Sequence, residues 1–494
     1  MPFLIALLAG AVSVLAYDPF GQFWLMLPSW GLLYALLCRR EIRSGRAFLL
    51  GWGWGIGAMF AGLCWLVVAL HRYGGMAGWL SVLLILLFSV ALALYHGIFA
   101  AVFARLRGPL SGPLGGMRPL LAAACWVGVE LLRGQLFPSF PWLLIGYTQT
   151  PPSPLAGWAP VLGVYGVSFM LALVTAALVD IVLNRTVWRR ALAWVLVPCL
   201  IGLGLRGVTW SHPVGDPVSV ALVQTNVAQD EKWRPELAEE WLRLNLDLVR
   251  EHPAQITVLP ESSLPMLEES LPEGYVETVR ELARLGGGDA ILGMFTRDAR
   301  GGIYNSVVSF GKSPTQRYSK NHLVPFGEYK PYGFGWFFDL ANIPMANQTP
   351  GGDHQPLLQM AGQQIAMNIC YEDVFGEELR RALPQATLMV NVSNLAWYGD
   401  SHAQPQHLQM SRMRALESGR PQLRATNTGM TGIVMPDGSV AQVLAPFTRG
   451  AVLAQVRGYQ GETPFVWWGD YPLKIVCAGL VLWALWQARR KSRS

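Results

Sequence analysis

The sequence predicts a membrane α-helical bundle of about eight transmembrane helices, joined to an α/β sandwich outside the bilayer. Three observations predict it. Uncharged apolar runs of about twenty residues recur up to residue 210 and return once near 470–488. Only 14% of the 494 residues are charged, against about 25% in an average soluble protein. From Pro217 onward, short β-rich runs alternate with amphipathic helices. With 52% hydrophobic residues and a mean hydropathy of +0.31, the chain is not a soluble cytosolic enzyme, a disordered protein or a disulfide scaffold. Its length calls for more than one domain.

The charge divides along the same line. Residues 1–210 hold 13 Arg, 4 acids and no Lys, whereas residues 211–470 hold 20 basic and 28 acidic residues. The formal +6 therefore belongs to the membrane part and the basic tail. Nothing in this pattern resembles a nucleic-acid surface.

The expected spans run at 2–17, 22–38, 47–70, 80–104, 119–134, 160–183, 191–207 and 470–488. The first lacks a basic n-region and is followed by Asp18-Pro19-Phe20, so it reads as a retained helix rather than a signal peptide. Arginines cluster after spans two, four and six, and basic residues follow span eight; the alternate loops carry only Arg72, Arg133 and Arg206. Positive-inside logic then puts both termini in the cytoplasm and the large segment outside it. The expected domains are 1–210, 211–469 and 470–494. Glu130 and Arg133, one turn apart in span five, read as an i,i+3 pair or as a group facing a headgroup. The glycines of Gly51–Gly57 read as close packing between helices.

In the extramembrane part, strands are expected at Ser219–Thr225, Ile256–Leu259, Ala290–Phe295, Ser306–Phe310, Ile365–Ile369 and Ala386–Val392, with a hairpin at Gly432–Val443. Helices are expected at Pro235–Glu251, Gly274–Leu285, Gly376–Leu383 and Gln404–Gly419. The first places Leu237, Trp241, Leu244 and Leu248 on one face. Tyr332–Phe338 packs five aromatics and two glycines into seven residues. That reads as a buried loop, a segment dipping into lipid or a lid.

Five of the six cysteines fall in expected membrane helices, where packing explains them. Cys370 is the sixth, at the end of an apolar strand and before a helix. Such a turn displays a nucleophile and offers backbone N–H groups to developing negative charge. Two more strands end on chemistry: Thr257-Val-Leu-Pro260 runs into Glu261, and Arg317-Tyr-Ser319 into Lys320. Taken singly, each has an ordinary structural reading. Together they form a base, a cation and a thiol. A thiol of pKa near 8.5 is only a few per cent ionised at neutral pH, and such neighbours activate it.

Glu261 in Leu-Pro-Glu-Ser, Lys320 in Tyr-Ser-Lys and Cys370 in Cys-Tyr-Glu-Asp resemble the Glu–Lys–Cys triad of the nitrilase superfamily. Val324-Pro-Phe-Gly-Glu-Tyr329, with the membrane helices on either side, narrows the resemblance to the apolipoprotein N-acyltransferase family over nearly the whole chain. The resemblance implies a nitrilase-like αββα sandwich in the periplasm, anchored in the inner membrane of a Gram-negative bacterium. It implies ping-pong transfer of a phospholipid sn-1 acyl chain, through a Cys370 thioester, to the S-diacylglyceryl-cysteine of an apolipoprotein. Glu261 would be the base and Lys320 the oxyanion partner, supported by Glu328, Tyr371 and Glu372. Trp233 and Asn305 match family positions and would contact substrate; Trp336 of the aromatic loop would help handle it. Leu395 departs from the family pattern, in which an acid follows the second Asn of Asn391-Val-Ser-Asn394.

No cofactor is implied. His402 and His407 lie five apart without a supporting ligand set, so no metal site is expected. Two other readings stay open on the sequence: a membrane-tethered amidase, and a lipid transporter with an accessory domain. The scarcity of charge inside the helices weighs against transport.

Overall fold

The computed structural model describes all residues except 40–41, 108–116, 137–138, 334–346 and 492–494. The chain forms two compact units: a helical one of Met1–Val67, Gly78–Thr209 and Thr463–Ser494, and a sheet-containing one of Val68–Ala77 and Trp210–Glu462. The helical unit resumes at Thr463, earlier than the expected 470, because Pro464–Trp468 forms a short helix ahead of Tyr471–Lys491. The Thr463 hydroxyl caps that helix by accepting from Val466 N–H.

Helices stand at all eight expected positions, but their lengths do not establish eight crossings. Among the described residues, four are long and apolar enough: Gly78–Leu106, Pro154–Leu183, Trp188–Arg206 and Tyr471–Arg490. The third expected span is not one helix. It breaks into Ser44–Leu63 and Leu66–Tyr73, bent by 59°, and counts as a fifth only if the pair is one span. Pro2–Ala16 and Phe23–Leu37 are shorter apolar helices. Arg118–Gln135, at the fifth expected position, is largely buried and carries Glu130 and Arg133. These two serve backbone rather than headgroups. Glu130 Oε1 accepts from Ile145 N–H at 3.0 Å, and Arg133 donates to Trp142 O at 2.7 Å. Burying backbone without such partners costs several kcal/mol in hydrocarbon, order of magnitude.

Trp126 centres the helical core, with Trp30, Trp54, His96 and Phe99 all within 5.6 Å between ring centroids. The glycine run packs as its spacing suggested. A Cβ on Gly57 would sit 1.9 Å from Leu7 O, and one on Gly51 2.3 Å from His96 O.

Among the described residues, the second unit is built on two six-stranded sheets. The first comprises β1 (Ser211–Gln224), β2 (Ile256–Val258), β3 (Asp289–Arg297), β4 (Ile303–Gly311), β5 (Gln316–Ser319) and β12 (Gly450–Gly461), in the order β12-β1-β2-β3-β4-β5. The second comprises β6 (Leu358–Met360), β7 (Gln363–Ile369), β8 (Leu388–Ser393), β9 (Gln422–Thr426), β10 (Gly432–Val434) and β11 (Val440–Val443), in reverse chain order. In each, the central strands are parallel: β1-β2-β3 in one and β7-β8-β9 in the other. Their C-terminal ends therefore open on the same side of each sheet, where ligand sites of α/β proteins gather.

Val220, Leu222, Ile256, Val258 and Ile291 of the first sheet meet Ile365, Met367, Ile369, Val390, Val392 and Leu423 of the second in one buried core. On the outer face of the first sheet pack Leu248 and Val249 of Ala238–Glu251 and Val279 and Ala283 of Tyr275–Leu285. On the second sheet, Leu408 and Ala415 of helix Ala403–Ser418 meet Val434. The layering is αββα. Strands β5, β6, β9 and β12 were not expected from the sequence; β9 carries Arg424 and β5 is half polar, so neither shows an apolar run.

Candidate active site

Glu261, Lys320 and Cys370 each stand just beyond a strand end, and the turns at Ser262 and Cys370 are left-handed. After β2, Leu259 N–H still bonds Ile291 O, and then Ser262 turns at φ +49°. Gly293 of β3 makes room: a Cβ there would lie 2.4 Å from Pro260 O and 2.5 Å from Ser262 N. Lys320 continues β5, its N–H bonding Asn305 O of β4 at 2.8 Å. Cys370 follows β7 at φ +54°, a left-handed conformation that is costly for a residue with a Cβ. A short 3₁₀ turn, Cys370–Val374, follows it. Cys370 is partly exposed, whereas Glu261 and Lys320 are buried.

Lys320 joins two carboxylates. Its Nζ lies 2.6 Å from Glu328 Oε1 and 3.4 Å from Glu261 Oε1. Burial works against its charge, but Glu328 and Glu261 outweigh burial and hold the ammonium well above the ordinary lysine value. Glu261 is fixed on both oxygens: Asn305 Nδ2 donates to Oε1 and Asn394 N–H to Oε2, each at 2.8 Å. The Glu328 carboxylate also accepts from Val324 N–H at 2.7 Å. Burial raises its pKa, Lys320 lowers it, and Glu261 adds to the rise. The Cys370 thiol feels the same charges. Burial raises it most, Glu261 and Glu328 raise it further, and Lys320 pulls it back. The net rise keeps the thiol protonated at neutral pH. A thiol held protonated in this way needs a base beside it to act as a nucleophile.

Glu372 holds two loops together. It accepts from Ile369 N–H at 2.6 Å on the strand that precedes Cys370, and from Asn321 N–H at 2.7 Å and His322 N–H at 3.1 Å after Lys320. Tyr318 OH adds a bond at 3.0 Å. Burial pushes its carboxyl up to about 7 despite these donors. Tyr371 is buried edge-on to Phe375, with ring centroids 5.2 Å apart. Asn305 is buried and spends its amide on Glu261. Trp233 is half-buried, 5.8 Å from the Phe295 ring, and its indole N–H has no partner among the described residues. Trp336 lies outside the described residues, as do Phe334, Phe337 and Phe338; Tyr332 is fully exposed. No cluster of metal-ligating residues occurs among the described residues.

Sequence reading gave four residues here no role at the site. Asn394 acts through its backbone N–H, which no side-chain pattern reveals. Lys232 is buried and donates to Glu261 O at 3.1 Å; burial pulls it down to about 8, against the pull of Glu261. Its neighbour Trp233 drew attention instead. His407 and Arg424 lie beneath Cys370, in a helix and a strand distant in sequence.

Residues 9–178 match the family model of the apolipoprotein N-acyltransferase N-terminal domain, and residues 219–464 match that of carbon-nitrogen hydrolase. The chain is 44% identical over 485 residues to the apolipoprotein N-acyltransferase of Nitrosomonas europaea, covering 97% of this chain and 96% of that one. The chain belongs to the apolipoprotein N-acyltransferase family. The proteins of that name from Chromobacterium violaceum and Ralstonia nicotianae are 41% and 42% identical, covering 98% and 99% of this chain and 94% of each relative. As a member of this family the chain is an acyltransferase, with a domain of the nitrilase superfamily attached to apolar helices.

Proposed function

We propose that this acyltransferase N-acylates the S-diacylglyceryl-cysteine at the N-terminus of apolipoproteins, drawing the acyl chain from the sn-1 ester of a membrane phospholipid. The observation that supports this best is the buried Glu261–Lys320–Glu328 cluster acting on the thiol at the left-handed Cys370 turn. Glu261 takes the thiol proton as Cys370 Sγ attacks the ester carbonyl. Lys320 faces the oxyanion, and one such donor is typically worth about 10²–10³ in rate. The C–O bond then breaks, and the proton passes to the departing lysophospholipid oxygen, leaving a thioester. The free α-amine attacks that thioester, Glu261 receives the amine's proton, and the amide leaves with Cys370 restored.

Glu328 holds Lys320 in place and Glu372 holds the two loops in register. Asn305 orients Glu261; Trp233 and Trp336 serve the lipid substrates. The helical unit, with the last helix and its cytoplasmic tail, supplies the anchor, and the sheet-containing unit supplies the periplasmic catalytic part. Both termini are cytoplasmic in the inner membrane, as the arginine distribution supports.

The test uses purified protein with phospholipid and a diacylglyceryl lipopeptide. Wild type should gain one acyl mass on Cys370 and then transfer it to the peptide. Normal turnover by Cys370→Ala would rule the mechanism out. Ammonia release from small amides without acyl transfer would favour the amidase reading.

A further inference from the structure

Beneath the nucleophile lies a buried polar row that the acyl-transfer steps do not use. The register of the second sheet sets Asn368 of β7 opposite Asn391 of β8, and Asn391 opposite Arg424 of β9. Neighbouring Val390 and Val392 belong to the intersheet core, so the Asn391 row faces the other way. Helix Ala403–Ser418 covers that face with His407 and Ser411, whose i,i+4 spacing puts them on one stripe.

All the groups in this row interlock. Arg424 Nη1 donates to Asp373 Oδ2 at 3.0 Å, and Gln422 Nε2 to Asp373 Oδ1 at 3.0 Å. Ser411 Oγ sits in close contact with both Asp373 and Arg424. Arg424 Nη2 lies 3.0 Å from His407 Nδ1. A guanidinium has only hydrogens to give, so Nδ1 must be the acceptor. The neutral ring then carries its hydrogen on Nε2, 3.2 Å from the carbonyl oxygen of Cys370. Asn391 Nδ2 approaches the same carbonyl at 3.3 Å, while also donating to Asn368 Oδ1 at 2.5 Å. All of these side chains are buried, and Asp373 balances the Arg424 charge.

We infer that His407 is a positioning residue: Arg424 and Asp373 fix its tautomer, and its Nε2–H clamps the Cys370 carbonyl so that the thiol stays in its left-handed turn. A planar peptide makes the consequence specific. The Tyr371 N–H lies anti to that carbonyl in the same planar peptide, so anchoring the carbonyl fixes the orientation of the whole peptide that follows Cys370. Without the clamp only the 3.3 Å contact from Asn391, whose amide is already engaged by Asn368, remains on that carbonyl; the φ of +54° can then relax toward the β or right-handed regions, and the thiol leaves the Glu261–Lys320 side. The inference rests on the reading of Cys370 as nucleophile.

Three variants of the full-length protein in phospholipid micelles test it. His407→Gln keeps an N–H near the Nε2 position, whereas His407→Leu removes it; His407→Asn keeps the amide but falls short of the carbonyl. Thioester formation is followed by mass spectrometry in a single turnover, together with Cys370 alkylation and near-UV circular dichroism. The expected result is a loss of about 10² in thioester rate for Leu and Asn, with Gln within about tenfold of wild type and the dichroism of folded Asn and Gln variants alike. If Leu fails to fold, the Gln–Asn comparison decides. Equal losses in Gln and Asn, or losses that follow thermal stability alone, would overturn the clamp. Turnover by Cys370→Ala would instead overturn the nucleophile assignment, whatever His407 does.

Discussion

Lys320 Nζ is closer to Glu328 than to Glu261, at 2.6 Å against 3.4 Å. The tighter bond is thus made to Glu328, which anchors the cation, while Glu261 is held by Asn305 and Asn394 as well as by Lys320. Removing one partner of a buried ion pair typically costs about 3–5 kcal/mol. Glu328→Ala should therefore lower both the thermal midpoint and kcat/KM. Glu328→Gln keeps an acceptor and should lower kcat with less effect on the midpoint. Unchanged kcat in both variants, measured with phospholipid and lipopeptide, would remove Glu328 from the site.

Asn305 offers a cleaner separation of roles. Its amide is spent on Glu261 Oε1. Asn305→Ala should lower kcat by about 10², the scale of a small misplacement of a reacting group, and leave KM for the lipopeptide within about twofold. A rise in KM at constant kcat would instead assign Asn305 to substrate binding.

The thiol makes a prediction about pH. Burial and the two carboxylates raise Cys370, and Lys320 opposes them. Alkylation of Cys370 by iodoacetamide should be slower at pH 7 than that of an unhindered thiol, and should still climb at pH 9. Lys320→Met removes the opposing charge and should slow alkylation further. A plateau near pH 7 in wild type would mean a preformed thiolate.

Glu372 links pH to stability. Its folded value, about 7, lies above the ordinary 4.5. The folded state therefore keeps a proton that the unfolded chain has released between those values. Its contribution is complete below about 4.5 and is lost as pH rises through about 7. Glu372→Gln should flatten this part of the thermal midpoint's pH dependence, most visibly between pH 5 and 7. An identical slope in wild type and variant would place the titration elsewhere.

Much of this was legible in the sequence. The apolar runs gave the helix positions, since a bilayer-length run needs no tertiary partner to be recognised. Strands such as Ile365–Ile369 announced themselves by apolar β-branched content, and the residues after them by their chemistry. The resemblance carried by Glu261, Lys320, Cys370 and Val324–Tyr329 named the family before any geometry was known. The bend near Cys64 was not legible, because composition does not change there. Strand β9 was missed because it pairs Arg424 with Asp373 inside the fold, and a buried ion pair reads locally as surface.

By itself, then, the sequence determined which segments are apolar enough to leave water, which strand ends bear a thiol, a cation and carboxylates, and which family the chain joins. Only the tertiary structure decided that Lys320 is held mainly by Glu328, that Asn305 serves Glu261, and that His407 reaches the Cys370 carbonyl. The physical reason is range. Hydropathy and turn chemistry are local and survive in a one-dimensional reading. Hydrogen bonds and buried charge pairs join residues that a local reading does not connect, and only the packed sheets bring them within hydrogen-bonding distance.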